Sequence, residues 1–266
     1  MTLEILICTI DDGIRRVERE LLPPMPDVSY LVSWQQSGES AADEVPKALL
    51  RSDVRVVSLS GRGLSRNRNH AIAHATGDVC LIADDDLCYI PEGLKQVVEK
   101  FEQDDGLAIA TFIYESSNDE HYYPPKEFDL YRFPKNYNVT SFEIAFRREA
   151  LQGVLTFDEH FGLGAPVLAA GEESVWLHDA LAMGMKGRFF PITIVRHNHP
   201  TTGYRDACKR GVVMANGAYL YVAKRHDWML LRAMLMAWRT CRKGVPLIKS
   251  VQWVFGGIIY ARKIRK

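Results

Sequence analysis

The sequence contains no Cys-x-x-Cys pair, no low-complexity tract and no internal repeat. Its five cysteines are an odd number, and Cys8 and Cys80 lie in apolar strand-like runs, where a free thiol behaves as a small hydrophobic side chain. We therefore expect a reducing, cytoplasmic setting rather than a secreted disulfide framework. The first seven residues lack the basic region and cleavage site of a secretory signal, and we expect them to begin a strand.

A strong charge asymmetry lies behind the formal net charge of +0. Residues 201–266 contain 14 Lys and Arg against two acidic residues, a net charge of +12, whereas residues 1–200 contain 19 basic and 31 acidic residues, a net charge of −12. We therefore expect a globular domain over residues 1–200, followed by a basic C-terminal region over residues 201–266. A region this basic is expected to contact an anionic surface.

The basic region also carries apolar runs with helical spacing. Residues 228–239 mix aromatic, aliphatic and arginine side chains, and the uncharged run 251–261 is shorter than the about 20 apolar residues that cross a bilayer. Helices with apolar faces and basic borders can lie in a membrane interface, so an anionic membrane is one expected partner. The alternative is that these faces pack on the domain or form a dimer contact. No recognised motif accompanies the charge, so nucleic acid is not expected as a partner.

Strand-like and helix-like segments alternate through the first 110 residues. Strands are expected at 3–9, 28–33, 54–59 and 79–83, and helices at 14–22, 65–75 and 91–103. Later segments predict a strand at 140–146, a helix at 172–183, a strand at 188–198 and helices at 207–224, 228–242 and 246–263. This order predicts an α/β fold with a mostly parallel central sheet, whose ligands bind at the carboxyl ends of the strands, followed by a helical C-terminal tail.

Three consecutive carboxylates, Asp84, Asp85 and Asp86, follow the apolar run 79–83. Carboxylates at the end of a buried strand repel one another and lose solvation, so they need a compensating cation. Oxygen ligands of this kind suit Mg²⁺ or Mn²⁺, which can bridge the carboxylates to a diphosphate. The alternative interpretation is a helix cap or a polar turn, since Asp is common before helices.

Two further segments have charges that suit transfer chemistry. Residues 61–69 place three arginines and a glycine-bearing turn before a helix, which suits an anion such as a pyrophosphate; for Arg68 we favour this over a solvated basic loop. Glu172 and Glu173 begin a helix after a glycine-rich loop, and a carboxylate there can take the proton of an acceptor hydroxyl. The alternative for this pair is a favourable interaction with the helix N-terminus.

His197 and His199 are two residues apart at the end of a predicted strand, so they share a face. Either imidazole could complete a metal shell, and the position of the pair after the acidic helix favours His197. The alternative is two ordinary loop histidines.

The order and spacing of these pieces resemble the family 2 glycosyltransferases, which have the GT-A fold. The matching pieces are Gly63-Leu64-Ser65 with Arg68-Asn69, then Gly77-Asp78, Asp84-x-Asp86 and Pro91, and finally Phe161-Gly162-Leu163-Gly164 and Gly171-Glu172-Glu173. The resemblance covers about residues 3–200. It implies that residues 1–200 form a GT-A catalytic domain that binds a nucleoside-diphosphate sugar.

The resemblance also implies residue roles. On the donor side, Asp84 would contact the ribose or the metal-bound diphosphate, Arg68 would face the nucleotide, and Thr9 would border the nucleotide base. Asp85 is expected among the donor-binding residues. Asp86 would be the metal ligand, with His197 as the late histidine that the family often supplies. Glu173 would be the catalytic base, with Glu172 as the second candidate.

The sequence departs from the family pattern at two places. The family usually has Asp where Glu173 stands, and the additional methylene changes the reach of the carboxylate. At the end of the second strand, the family often has an Asp that contacts the nucleotide base, whereas this chain has Ser33-Trp34-Gln35-Gln36. The identity of the nucleotide base therefore stays open.

Together these features predict a glycosyltransferase dependent on Mn²⁺ or Mg²⁺, and the family resemblance implies an inverting mechanism. It would move a sugar from a nucleoside-diphosphate donor to a hydroxyl of a glycan or glycolipid acceptor, as in bacterial surface-polysaccharide assembly, at the cytoplasmic face of a membrane. One alternative is a nucleotidyltransferase, although residues 9–16 lack the glycine-rich, lysine-bearing phosphate loop usual in that class. Another is a non-catalytic nucleotide-sugar-binding protein on a degenerate transferase fold.

Overall fold

The structure is a computed structural model that describes residues 1–38, 44–116, 121–134, 137–198, 205–223 and 228–265. The chain divides into two compact units. The first comprises residues 1–62, 66–156 and 179–199, and the second comprises residues 63–65, 157–178 and 200–266. The division into domains at residue 200 stays a prediction.

The described part of the first unit is built on one mixed sheet. Its strands are Leu3–Ile10 (β1), Val28–Gln36 (β2), Val54–Ser60 (β3), Val79–Ala83 (β4), Cys88–Tyr89 (β5), Ile109–Glu115 (β6), Phe128–Asp129 (β7), Ile144–Arg147 (β8) and Gly187–Arg196 (β9). Their order is β3-β2-β1-β4-β8-β6-β9-β5, and β7 pairs with β9. The long strands run parallel, whereas β5, β7 and β8 pair antiparallel with their neighbours. The predicted α/β fold with a mostly parallel sheet is confirmed.

The central pair β1 and β4 places the candidate site. Both strands are mostly apolar and are buried except at Ile10, as expected for strands covered on both faces. Their parallel register pairs Ile7 with Ala83, so Thr9 and Asp85 each lie two residues further along their own chain. The end of β1 and the aspartate triplet therefore meet at one edge of the sheet.

In the described part of the chain, the helices lie within a few residues of the expected positions, except for the short α3, which the sequence analysis did not predict. They are Leu64–His74 (α1), Pro91–Glu102 (α2), Arg148–Leu151 (α3), Glu172–Ala182 (α4), Arg210–Val222 (α5), Met229–Arg242 (α6) and Leu247–Ile264 (α7). Within the described residues, none of them is long and apolar enough to cross a membrane. The predicted helical C-terminal region is confirmed.

Two expected elements take another form. The predicted helix at 14–22 is replaced by short 3₁₀ turns, Asp11–Arg15 and Val17–Glu20, because Arg16 and Glu20 bond to groups after β4 instead of extending a helix. The predicted strand at 140–146 begins with a 3₁₀ turn, because Thr140 and Glu143 form a reciprocal capping box, and the strand follows from Ile144.

The second unit is built around a close helix crossing. A β-carbon on Gly217 of α5 would overlap the carbonyl oxygen of Val254, and one on Gly257 of α7 would overlap that of Met214. Only glycine permits this approach of the two backbones.

Candidate functional site

The three aspartates after β4 have three different environments. Asp85 is the buried one: Thr9 Oγ1 donates a hydrogen bond to it, and Arg16 Nη2 lies 2.7 Å from Oδ1 and 2.8 Å from Oδ2. Burial raises the pKa of Asp85, although the hydrogen bonds from Thr9 and Arg16 oppose the shift. A β-carbon on Gly13 would overlap both Asp85 and Thr9. Asp85 therefore joins the end of β1, the following turn and the end of β4.

Asp84 is held by the buried cation Arg68. The Nη2 atom of Arg68 lies 3.0 Å from Asp84 Oδ1 and 2.7 Å from Ser141 Oγ. The Arg68 side chain is buried, whereas about a third of the Asp84 side chain remains exposed. The ion pair therefore fixes the carboxylate and leaves part of it accessible at the sheet edge.

Asp86 faces the end of β9. Its Oδ2 atom lies 3.4 Å from Nε2 of His197, whose own backbone N–H donates to Glu115 O at 2.9 Å. The imidazole ring also lies 5.1 Å from the Phe142 ring, centroid to centroid. These contacts bring together two residues that are 111 positions apart in the sequence.

The chemistry of this pair fits the expected metal. A carboxylate beside an imidazole suits a divalent transition cation such as Mn²⁺ better than Mg²⁺, which prefers oxygen ligands. In the part of the chain that the structure describes, no group of three or more His, Cys, Asp or Glu side chains could hold a metal ion. His199, the other predicted candidate, lies outside the described residues.

Two motifs that are distant in the sequence are bonded to each other in the second unit. Ser65 Oγ donates to Phe161 O at 2.6 Å, and the backbone N–H of Leu64 donates to Leu163 O at 2.8 Å. Gly162 between them has a φ of +99°, which favours glycine. The Gly-Leu-Ser turn and the glycine-rich loop therefore form one connected structure.

The two acids that begin α4 differ in their exposure. Glu172 is buried, and its carboxyl group is close to Gly162, because a β-carbon there would lie 3.1 Å from Glu172 Oε2. Glu173 is half-buried, and Ser174 Oγ lies 3.5 Å from its Oε1. Glu173 is therefore the more accessible of the two carboxylates, which suits a group that must reach an acceptor.

The structure adds residues that the sequence analysis did not select. Arg16 contacts both carboxylate oxygens of Asp85, and Ser141 accepts a hydrogen bond from Arg68. The Asn67 side-chain amide donates to Thr9 O at 2.9 Å and to Ser33 O at 3.1 Å. Asn67 stands inside the arginine-rich segment, which gave a local signal. Arg16 and Ser141 gave none, because their partners lie 69 and 73 residues away.

Comparison with known proteins identifies a related family and a similar fold. The model of the family described as "Glycosyl transferase family 2" matches residues 36–161. The chain is similar to S. aureus TarS 1-349 in complex with UDP, at 15% identity and a TM-score of 0.63, over 100% of this chain and 82% of that one. Comparison with curated proteins gives no match.

Two further structures have a related fold at low identity. One is the mannosyltransferase PcManGT from Pyrobaculum calidifontis in complex with GDP-Man and Mn²⁺, at 14% identity and a TM-score of 0.52, over 98% of this chain and 73% of that one. The other is glucosyl-3-phosphoglycerate synthase from Mycobacterium tuberculosis, at 16% identity and a TM-score of 0.55, over 84% and 80%. The relation to the family 2 glycosyltransferases that the motifs predict is therefore confirmed, in the sequence of residues 36–161 and in a GT-A-like fold.

Proposed function

We propose that this protein is an inverting, metal-dependent glycosyltransferase that uses a nucleoside-diphosphate sugar. The observation that carries the proposal is the pairing at the sheet edge of Asp86 with His197 and of Asp84 with Arg68. One pair offers ligands to a cation, and the other presents a fixed, partly exposed carboxylate. The structures of similar fold that contain UDP, UDP-GlcNAc, or GDP-Man with Mn²⁺ support a donor of this class.

On the donor side, Asp86 and His197 would hold Mn²⁺ or Mg²⁺. When bound, the cation supplies positive charge to the departing diphosphate. Asp84, fixed by Arg68, would accept hydrogen bonds from the ribose or lie beside the diphosphate.

Unlike Asp84 and Asp86, Thr9 and Asp85 would not contact the donor or the metal directly in this proposal. Because they bond to each other and to Arg16, they would shape the wall of the nucleotide site, while the partly exposed Arg16 guanidinium adds positive charge near the phosphates. Asp85 therefore serves the donor through Arg16 rather than by direct contact.

On the acceptor side, Glu173 would remove the proton from the attacking hydroxyl, as a single displacement with inversion requires. Its partial exposure supports this choice over the buried Glu172. We propose a glycan or lipid-linked acceptor, and a location at the cytoplasmic face of a membrane.

Calorimetry with UDP, UDP-GlcNAc and GDP-mannose, with and without Mn²⁺, tests the donor proposal. We expect at least one ligand to bind more tightly with Mn²⁺, and Asp86→Asn to remove that gain. Asp12→Asn is the matched control, because it neutralises an exposed aspartate on the turn after β1. Equal affinity with and without Mn²⁺ in the parent protein would refute metal-dependent donor binding, and a panel without any binding would exclude these uridine and guanosine nucleotides as donors.

A further inference from the structure

Helix α6 exposes an apolar stripe. Five large side chains of this helix are between 47% and 68% exposed: Leu230, Leu231, Met234, Leu235 and Trp238. Their spacing of one, three and four residues places them on one side of a helix. Ala233, Ala237 and Thr240 point the other way and are buried within the unit. The helix therefore packs through small residues and presents its large apolar residues outward.

The exposed apolar surface extends beyond both ends of the helix. Trp228, just before α6, is 74% exposed, and Leu247 and Ile248 at the start of α7 are 52% and 74% exposed. Single exposed apolar residues are ordinary, but eight large, exposed apolar residues within positions 228–248 indicate an interaction site. We call this group of eight residues the apolar face.

The charges of the segment that carries the apolar face have one sign. From residue 228 onward the sequence has nine Lys and Arg and no acidic residue. Arg232 and Arg239 are seven residues apart and so lie on one side of α6, and the Arg242 guanidinium lies 5.0 Å from the centre of the Trp238 ring. A helix with an apolar stripe and a basic border is the type that lies in a membrane interface.

The charge also distinguishes between two occupants of the face. A symmetric contact with a second copy would bring two clusters of like charge together, which is unfavourable without intervening anions. An anionic bilayer offers hydrocarbon to the apolar side chains and phosphate to the arginines and lysines. Tryptophan is also favoured at the level of the headgroups.

We propose that the apolar face, formed by α6 with its flanking residues Trp228, Leu247 and Ile248, docks on the surface of an anionic lipid bilayer. The apolar stripe enters the boundary between headgroups and acyl chains, and the basic border contacts the headgroups. The helices lie on the membrane and do not cross it. This surface shares no residue with the proposed donor site, so the proposal does not require the transferase assignment.

Vesicle co-sedimentation of the full-length protein without donor or acceptor tests the proposal. We expect binding to phosphatidylcholine vesicles with 30% phosphatidylglycerol, and at least tenfold weaker binding to phosphatidylcholine alone. Leu231→Ser combined with Leu235→Ser should lower the affinity about tenfold or more. The matched control is Leu50→Ser, which changes an exposed leucine of the first unit. Circular dichroism of each variant checks that the helices are retained.

The charge component is measured with Arg232→Gln combined with Arg239→Gln. This variant should bind the anionic vesicles less tightly and show a weaker dependence on salt, because exposed charges are screened over about 8–10 Å at physiological ionic strength. Absence of vesicle binding at low salt would overturn the proposal. It would also be overturned if the double leucine variant bound like Leu50→Ser. A dimer that the double leucine variant dissociates, without any vesicle binding, would assign the face to a second copy of the chain.

Discussion

Glu20 is a carboxyl group that the fold buries beside the aspartate loop. Its side chain is 3% exposed, and it accepts a hydrogen bond from the Tyr89 hydroxyl at 3.2 Å and another from the backbone N–H of Leu87. Burial raises the pKa of Glu20 to about 10, and the negative charge of Asp85 adds to the shift. Its Oε1 atom has no hydrogen-bond partner among the described residues. A buried oxygen without a partner costs less free energy in a neutral carboxyl group than in a charged carboxylate, so this environment favours the protonated form.

The raised pKa makes the stability of the protein depend on pH. The folded state keeps a proton that the unfolded chain releases above its ordinary pKa of 4.5, so the contribution of Glu20 is fully present below that pH and is lost as the pH rises toward 10. Each pH unit in this window is worth about 1.4 kcal/mol, so Glu20 alone lowers the free energy of unfolding by about 4 kcal/mol between pH 5 and pH 8.

Glu20→Gln removes this ionisation and keeps the shape of the side chain. Between pH 5 and pH 8, the variant should therefore gain about 4 kcal/mol of stability relative to the parent. Urea unfolding at three pH values, followed by both fluorescence and circular dichroism, measures the difference and checks that the transitions coincide. Glu18→Gln is the control, because Glu18 is exposed on the same turn. If the parent and Glu20→Gln have parallel pH profiles, the buried acid is not held neutral and the reasoning fails.

The remaining predictions concern the catalytic base, the metal ligand His197 and the close crossing of α5 and α7. Glu173→Gln should bind donor like the parent but lose turnover by roughly 10²- to 10⁴-fold, and the opposite result with Glu172→Gln in a steady-state assay would exchange their roles. His197→Ala should weaken donor binding in Mn²⁺, and unchanged affinity by calorimetry would remove it as a ligand. Gly257→Ala should destabilise the fold by about 1–3 kcal/mol, whereas Gly256→Ala, with no close backbone contact, should shift stability by about 1 kcal/mol or less; equal thermal unfolding would contradict the close crossing.

The fold class followed from local patterns. Apolar runs such as 79–83 alternate with helix-like segments, and this alternation is sufficient to predict a parallel sheet with ligands at its carboxyl edge. The motifs also predicted acidic residues at that edge. The residues between 14 and 22 show the limit of this reasoning, because side-chain bonds to distant groups replaced the predicted helix with two 3₁₀ turns.

The aspartate triplet shows what the sequence could not distinguish. The family resemblance gave Asp84 and Asp86 different roles, but residue type and local spacing do not predict the partners of the three carboxylates. In the structure Asp84 pairs with Arg68, Asp85 is buried with Thr9 and Arg16, and Asp86 faces His197. These partners lie between 16 and 111 residues away, and spacing along the chain carries no information about contacts at such separations.

Some properties of the basic C-terminal region could be predicted from the sequence, whereas others are visible only in the tertiary structure. The charge of the tail, its helices and their amphipathic composition could be predicted from the sequence alone, because these depend on residue type and helical period. It left open whether the large apolar residues of α6 face inward or outward. Only the tertiary structure shows that Ala233 and Ala237 take the inner side, while Leu231 and Trp238 are exposed. The physical reason is that an amphipathic period defines which residues share a face, whereas the packing partners define which face is covered.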